Sequence, residues 1–514
     1  MQPMDLLAKD ETMNVEFPTP EPARVWTHFF DLVAVPRPSK NEGAAIDHIE
    51  RWAKQHGYLA LRDKANNLAV HVPATRGSAS PVILQCHVDI VSVTVEGNPV
   101  GADASHGRIP MVRGDFDPKQ SKRLTPNPEG DWINAPYTTL GADNGIGVAM
   151  MMALAEKTDR PCPLQLLFTI DEEQGMTGAI GLEPEKLKLN GQRLINIDTE
   201  DDDEITVGSC GGRDVEVVWE SPWQPSSLPC TFRLHIDGIK AGHSGVEINQ
   251  GRANANRLAA RLLNAISEIT PIELVEWKGG SRRNAIPDRS TVVFAMEPAR
   301  LPQVSSLVSE VRAQFDRLYQ DRDNPVSIDL ERGKDPVGLA LSSDASRIFS
   351  RMVQAIPTGI CEMTPELPLL VESSCNLALI DLQTSRPAVI TCSVRGTTPE
   401  SLTDVSDSIA AVAHLGGGKT KIADGYPGWK PHLDSELLQV ATQQYEKLFR
   451  SQPKVHAIHA GLECGLLVEK LPGLHAISIG PTIKGNHAVG ERVQISSVAK
   501  SYRYVEAILD ALHS

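Results

Sequence analysis

The chain has 514 residues, 41% of them hydrophobic and 22% charged, with a formal net charge of −15 at pH 7. That length exceeds what one hydrophobic core serves, so two or more domains are expected, and the composition suits a folded enzyme rather than a disordered chain. The acidic balance argues against a nucleic-acid binder, which more often carries a basic face, but carboxylates remain available as cation ligands.

In chain order, residues 1–22 are acidic and proline-bearing and lack a basic segment followed by an apolar one, so no secretory signal is expected. The apolar spacing over 24–35 predicts an amphipathic helix stopped by the turn Pro36-Arg37-Pro38-Ser39, and a second helix spans 42–56. The apolar run 82–85 reads as a buried strand, with His87 just past its end. Residues 96–135 are polar and rich in Gly, Pro and Asp; they read as a long excursion or a small outlying hairpin, with no chemistry assigned. A helix from Asp143 to about Glu156 follows, then strands at 164–170 and 194–197. Apolar strands alternating with helices predict a mixed α/β sheet, largely parallel, with flanking helices.

The pattern changes near Gly211-Gly212. Segments 214–220 and 231–236 alternate polar and apolar residues, as half-buried antiparallel strands do, with helices near 250–268 and 303–319 between such segments. Helix 434–449 and strand 474–479 then restore the first style. The expected organisation is a discontinuous catalytic domain, 1–212 and 401–514, with an α+β domain inserted at 213–400. No run approaches a membrane span, so no membrane partner is expected, and a cytoplasmic location is the default. The eight cysteines, Cys86, Cys162, Cys210, Cys230, Cys361, Cys375, Cys392 and Cys464, form no CxxC pair, which disfavours a thiolate zinc site or a redox dithiol. So few in so long a chain do not suggest a disulfide scaffold.

Five short segments place acids or histidine where predicted strands end: His87-Val88-Asp89, Gly141-Ala142-Asp143-Asn144-Gly145, Asp171-Glu172-Glu173, Asn196-Ile197-Asp198 and Gly485-Asn486-His487. In open α/β sheets, functional groups gather beyond the carboxyl ends of the strands. Two histidines and three carboxylates suit a pair of divalent ions with one carboxylate bridging. Peptide hydrolysis at neutral pH would use such a pair to acidify a shared water and polarise the scissile carbonyl. A further carboxylate must take the proton and return it to the leaving amine, and adjacent Glu172 and Glu173 can divide those roles. Singly, each element has an ordinary reading: His87 as a structural histidine, Asp171-Glu172-Glu173 as a solvated helix start, Asp143 as an N-cap, and Gly242-His243-Ser244-Gly245 as a turn. Asp201-Asp202-Asp203-Glu204 reads as a solvated loop without a ligand role. The weight comes from the conjunction.

Gln85-Cys86-His87-Val88-Asp89, Thr139-Leu140-Gly141-Ala142-Asp143-Asn144-Gly145-Ile146-Gly147 and Asp171-Glu172-Glu173-Gln174-Gly175-Met176 resemble the aminoacylhistidine dipeptidases (peptidase D), di-zinc metallopeptidases related to carnosinases and aminoacylases. Gly242-His243-Ser244-Gly245, Gly251-Arg252-Ala253-Asn254-Ala255-Asn256, Arg283-Asn284-Ala285-Ile286-Pro287, Tyr426-Pro427-Gly428-Trp429, His459-Ala460-Gly461-Leu462-Glu463-Cys464-Gly465 and Ser478-Ile479-Gly480-Pro481-Thr482 extend the likeness from about residue 24 to 512. The resemblance implies a zinc-peptidase fold with the inserted domain as a lid. It implies two divalent ions, zinc with manganese or cobalt as alternatives, bridged by Asp143. His87 and Asp198 would complete one ion, and Glu173 and His487 the other; Glu172 would be the general base and Asp89 would orient His87. A cis peptide bond is implied at Asp143-Asn144. His243 would donate to the oxyanion, Asn284 and Arg395 would hold the substrate carboxylate, and Glu463 would meet the free amine. Read without the resemblance, Arg395 is a surface salt bridge and Glu463 a structural cap.

The implied activity is hydrolysis of unblocked dipeptides, with Xaa-His and β-alanyl-His as candidates. Alternatives are an N-acyl-amino-acid amidohydrolase of the same clan and a catalytically inactive metal-binding homologue. A homodimer could supply the lid histidine from a partner, or a lid of this length could supply it from within the chain. Departures from the family pattern are Gly485-Asn486-His487-Ala488-Val489, where Gly-Pro-His-Ser-Pro is usual, and the segments 96–135 and 320–345.

Overall fold

Val82–His87 and Leu164–Thr169 are short, mostly apolar runs without period-two alternation, and every residue in them is buried. That is how strands covered on both faces read. A computed structural model of the chain describes residues 17–76, 80–95, 109–116, 124–333, 338–364, 371–384 and 386–513. In it, parallel ladders join Leu164–Thr169 to Val82–His87, Val82–His87 to Arg193–Asn196, and Arg193–Asn196 to His475–Ser478. Leu59–Arg62 and Leu68–Val72 extend one edge antiparallel, and Glu204–Ser209 and Lys454–Ile458 complete the other edge of the eight-stranded sheet.

Helix Ala142–Ala155 is buried along its whole length, which explains its run of Met150, Met151 and Met152 with no polar face. Helix Ala23–Leu32 instead buries one stripe, Val25, Trp26, Phe29 and Leu32, in the same core. The chain divides into two units, Met1–Gly208 with Pro431–Ala457 and Leu466–Ser514, and Ser209–Lys430 with Ile458–Gly465.

The described part of 96–135 is not an outlying hairpin. Val112–Phe116, Leu124–Pro126 and Trp132–Asn134 join Ile483–Lys484 and Arg492–Gln494 in a five-stranded antiparallel sheet. Residues 96–108 and 117–123 of that segment, and 1–16 of the amino terminus, lie outside the described residues.

The second unit centres on a nine-stranded antiparallel sheet. Cys230–Asp237 alternates buried and less buried residues, the pattern of a strand covered on one face. Helices Ala255–Ser267, Leu301–Tyr319, Ser343–Ala355 and Pro399–Leu415 supply apolar side chains to its core. The boundary expected at 400 is displaced. Helix Pro399–Leu415 buries Leu402, Val405, Ile409 and Ala413 in this core, and Lys419–Ile422 pairs with Gly211–Trp219, so the unit continues to Lys430.

Candidate metal centre

The five expected ligands all belong to the first unit. His87 ends strand Val82–His87; Glu173 follows Leu164–Thr169 and Asp198 follows Arg193–Asn196. Asp143 opens helix Ala142–Ala155, and His487 sits in the turn between Ile483–Lys484 and Arg492–Gln494. Three of the expected ligands therefore stand at the carboxyl ends of parallel strands, where such sheets gather their chemistry.

The contacts sort into two sets around Asp143. His87 Nε2 lies 3.1 Å from Asp143 Oδ1 and 3.3 Å from Asp198 Oδ1. His487 Nε2 lies 3.1 Å from the other Asp143 oxygen and 2.8 Å from Glu173 Oε2. Ligands of one tetrahedral zinc, each about 2.0–2.1 Å from the ion, stand about 3.3 Å apart. Glu173 Oε1 is buried without a hydrogen-bond partner. Donor chemistry, spacing and this orphaned oxygen all fit a pair of divalent cations. The Asp143-Asn144 peptide is cis, and the Asn144 side chain hydrogen-bonds Asp198.

Burial and the adjacent Asp143 charge push Glu173 up to about 7. Burial alone would lower the His487 ring, but its hydrogen bonds to Asp143 and Glu173 carry it to about 11. Asp143 is held below the usual carboxylate range because the hydrogen bonds of both histidines outweigh its burial.

Asp89 does more than the sequence suggests. Its carboxylate accepts the Glu172 and Glu173 N–H groups at 3.0 and 3.2 Å and the Ser39 hydroxyl at 2.8 Å. His87 Nδ1 lies 3.0 Å from the Asp89 backbone carbonyl and 3.5 Å from its Oδ1. A proton on Nδ1 donating there leaves the Nε2 lone pair facing Asp143 and Asp198, where it could bind a cation.

Three residues that sequence reasoning passed over support the site, two of them through its backbone. Glu491 accepts N–H groups from Leu140, Gly141 and Ala142 at 2.8 Å each and from Asp143 at 3.1 Å. Arg37, fully buried, donates to the carbonyls of Val88 at 3.0 Å and Gly141 at 2.8 Å. Glu200 accepts from the Asn486 amide at 2.7 Å, and burial followed by the Asp143 charge pushes it up to about 8. Only the placement of Arg37 between two prolines, and of Glu491 four residues past His487, could have drawn attention to the first two. The neighbouring Asp201, Asp202 and Asp203 pair with Lys484, Lys500 and Lys454.

His243, Asn284, Arg395 and Glu463 all belong to the second unit. Gly242–His243 pairs with Ala285–Ile286, and the Ser244 N–H donates to the Asn284 carbonyl at 2.9 Å, so two motifs distant in sequence are adjacent. His243 Nδ1 accepts the Gly245 and Val246 N–H groups, both at 3.2 Å, which puts the neutral ring's proton on Nε2. A Cβ on Gly245 would lie 3.0 Å from His243 Cε1 and 3.2 Å from Arg395 Cζ, so both side chains border this glycine. Arg395 is buried, with Nη1 donating to the Tyr426 hydroxyl at 3.0 Å; it is not a surface salt bridge. Glu463 is fully buried at the start of helix Glu463–Lys470.

Residues 234–323 match the peptidase dimerisation domain. The cytosol non-specific dipeptidase of Escherichia coli (strain K12) is 33% identical over 496 residues, 95% of this chain and 97% of its own. The chain belongs to the aminoacylhistidine dipeptidase family. The crystal structure of aminoacylhistidine dipeptidase from Vibrio alginolyticus matches with a TM-score of 0.80 at 32% identity, covering 97% of this chain and 98% of that one. A tripeptidase from Staphylococcus aureus, 16% identical with a TM-score of 0.53 over 96% of this chain and 100% of its own, shares the fold. The enzyme is accordingly a metallopeptidase, a hydrolase built on a mixed α/β domain with a lid.

Proposed function

We propose that the enzyme hydrolyses dipeptides with free termini, Xaa-His and β-alanyl-His among them, using two divalent ions, zinc or else manganese or cobalt. His87, Asp143 and Asp198 would hold one ion, and His487, Glu173 and the second Asp143 oxygen the other. Bound there, the ions would acidify a water and polarise the scissile carbonyl. Glu172 takes the water's proton and returns it to the leaving amine. Asp89 supports this by fixing the Glu172-Glu173 backbone through both N–H groups. His243 donates from Nε2 to the oxyanion, the contact that matters most in the transition state. Arg395, with Asn284, grips the terminal carboxylate, and Glu463 meets the amine. The observation that carries the reading is that each Asp143 oxygen meets a different histidine, and each of those histidines meets a different second carboxylate. We place the enzyme in the cytoplasm, acting on small peptides, and the dimerisation-domain match makes a homodimer the assembly to test by light scattering.

Glu172→Gln is expected to keep full metal content by elemental analysis and to lose turnover by a factor of about 10²–10⁴. Near-normal kcat in that variant would remove Glu172 from the role of base. A dipeptide assayed beside its N-acetyl form tests the amine contact: preference for the acetylated substrate would indicate an amidohydrolase instead.

A further inference from the structure

Tyr426-Pro427-Gly428-Trp429 is a sequence motif to which the hydrolytic reading gives no task. Its backbone lies antiparallel to Ser209–Gly212. Trp429 and Ser209 exchange N–H···O bonds at 2.8 and 3.0 Å, and Tyr426 and Gly212 do so at 2.9 and 3.1 Å. On its other side, Gly212 is paired with Arg395 in the ladder between Gly211–Trp219 and Ala388–Gly396. Gly212 therefore has Tyr426 and Arg395 as its two cross-strand neighbours.

The missing side chain at 212 is what lets the phenol reach the guanidinium. A Cβ there would lie 2.8 Å from the Tyr426 hydroxyl oxygen and 2.9 Å from Cζ. At Gly211 a Cβ would come within 2.5 Å of the Tyr426 carbonyl oxygen and 2.6 Å of Gly428 N. Gly212 thus leaves room for the Tyr426 ring and Gly211 for the close approach of its backbone, and the Tyr426 hydroxyl accepts from Arg395 Nη1 at 3.0 Å.

Arg395 is 7% exposed and, among the described residues, forms no ion pair with a carboxylate; its Nε has no hydrogen-bond partner. Its polar side-chain neighbours include the Tyr426 hydroxyl and the Cys210 thiol. A buried guanidinium without a counter-ion is costly, so a partner anion has much to gain there. A phenol hydroxyl can fix the orientation of the guanidinium without neutralising it. An aspartate or glutamate in the same place would compete with an incoming carboxylate.

We infer that Tyr426 is a positioning residue that aims Arg395 at the carboxylate end of the substrate, with Gly212 leaving the space that seats its ring. This rests on the proposed role of Arg395 in gripping that carboxylate. The role is one of recognition, so its loss falls on KM and only for substrates that carry the carboxylate.

The experiment compares a dipeptide with its C-terminal amide on the metal-loaded, full-length enzyme. Tyr426→Phe is expected to raise KM for the acid about tenfold, with kcat within twofold and the amide unaffected. Gly212→Ala, which displaces the phenol while retaining its hydroxyl, is expected to shift the acid-to-amide ratio in the same direction. Arg395→Gln should abolish the preference for the acid, and Tyr426→Phe added to it should have no further effect. If Arg395→Gln keeps the wild-type acid-to-amide ratio, the assignment of Arg395 fails, and the inference with it. If Arg395→Gln abolishes the preference but Tyr426→Phe leaves KM for the acid unchanged, or raises KM for acid and amide alike, the Tyr426 inference is overturned and the Arg395 reading stands.

Discussion

Glu491 takes backbone N–H groups from four consecutive residues, Leu140 to Asp143, and so fixes the segment that aims both oxygens of Asp143. It lies four residues beyond His487, which ties the two parts of the chain that meet at Glu173 and Asp143. Arg37 secures the opposite side through the Val88 and Gly141 carbonyls. Neither side chain is an expected ligand, and removing either would leave buried main-chain groups without partners, at a cost of about 1–3 kcal/mol for each group. Glu491→Ala is expected to weaken metal binding about 10–100-fold, the usual effect of losing a group that orients a ligand. A zinc titration against a competing chelator measures this directly. An unchanged affinity in a folded variant would mean that Asp143 is held by helix Ala142–Ala155 alone.

The turn that carries His487 is a separate element held from three sides. Its flanking strands pair with each other and Arg492–Gln494 joins Trp132–Asn134, Arg492 lies 3.6 Å over the Phe116 ring, and Asn486 donates to Glu200. The strand-end motifs around His87, Asp171-Glu172-Glu173 and Asp198 were legible in the sequence because each follows an apolar run long enough to read as a buried strand. The sheet behind His487 was not. Its strands are two to five residues long and partly polar, too short for periodicity to announce them, and the pairing of Arg492–Gln494 with Trp132–Asn134 joins segments far apart in the chain. Glu491 was illegible for a related reason: its four partners are backbone N–H groups, which leave no mark in the sequence. Asn486 stands where the family usually has proline, and its hydrogen bond to Glu200 restrains the turn by another route. Asn486→Ala is expected to weaken binding of the ion proposed for Glu173 and His487 several-fold while sparing the one proposed for His87 and Asp198. With metal limiting, elemental analysis should then give closer to one ion per chain than two. A proportional loss of both ions would contradict this local role.

Each unit has its own apolar core, one centred on helix Ala142–Ala155 and the other on the antiparallel sheet. The proposed ligands belong to the first, so acid would act there by protonating them and releasing bound metal. The second unit contains a different acid-sensitive group. His459 is buried, lies 2.7 Å from the Ser374 hydroxyl, and is lowered to about 3 by burial and by the charge of Arg395. Its ring therefore stays neutral in the fold, whereas in the unfolded chain it takes up a proton below about pH 6.5. The sign follows: its contribution to stability is complete above about 6.5 and is lost as pH falls toward 3, at about 1.4 kcal/mol per pH unit. Between pH 6.5 and 5 the loss is about 2 kcal/mol, which at a few degrees per kcal/mol lowers the midpoint by about 4–8 °C. Thermal scans of the chelator-treated protein isolate this effect from metal release. His459→Asn, which retains a polar partner for Ser374, should show a shallower fall in Tm over that pH range. Equal slopes in the two proteins would show that the acid sensitivity arises elsewhere.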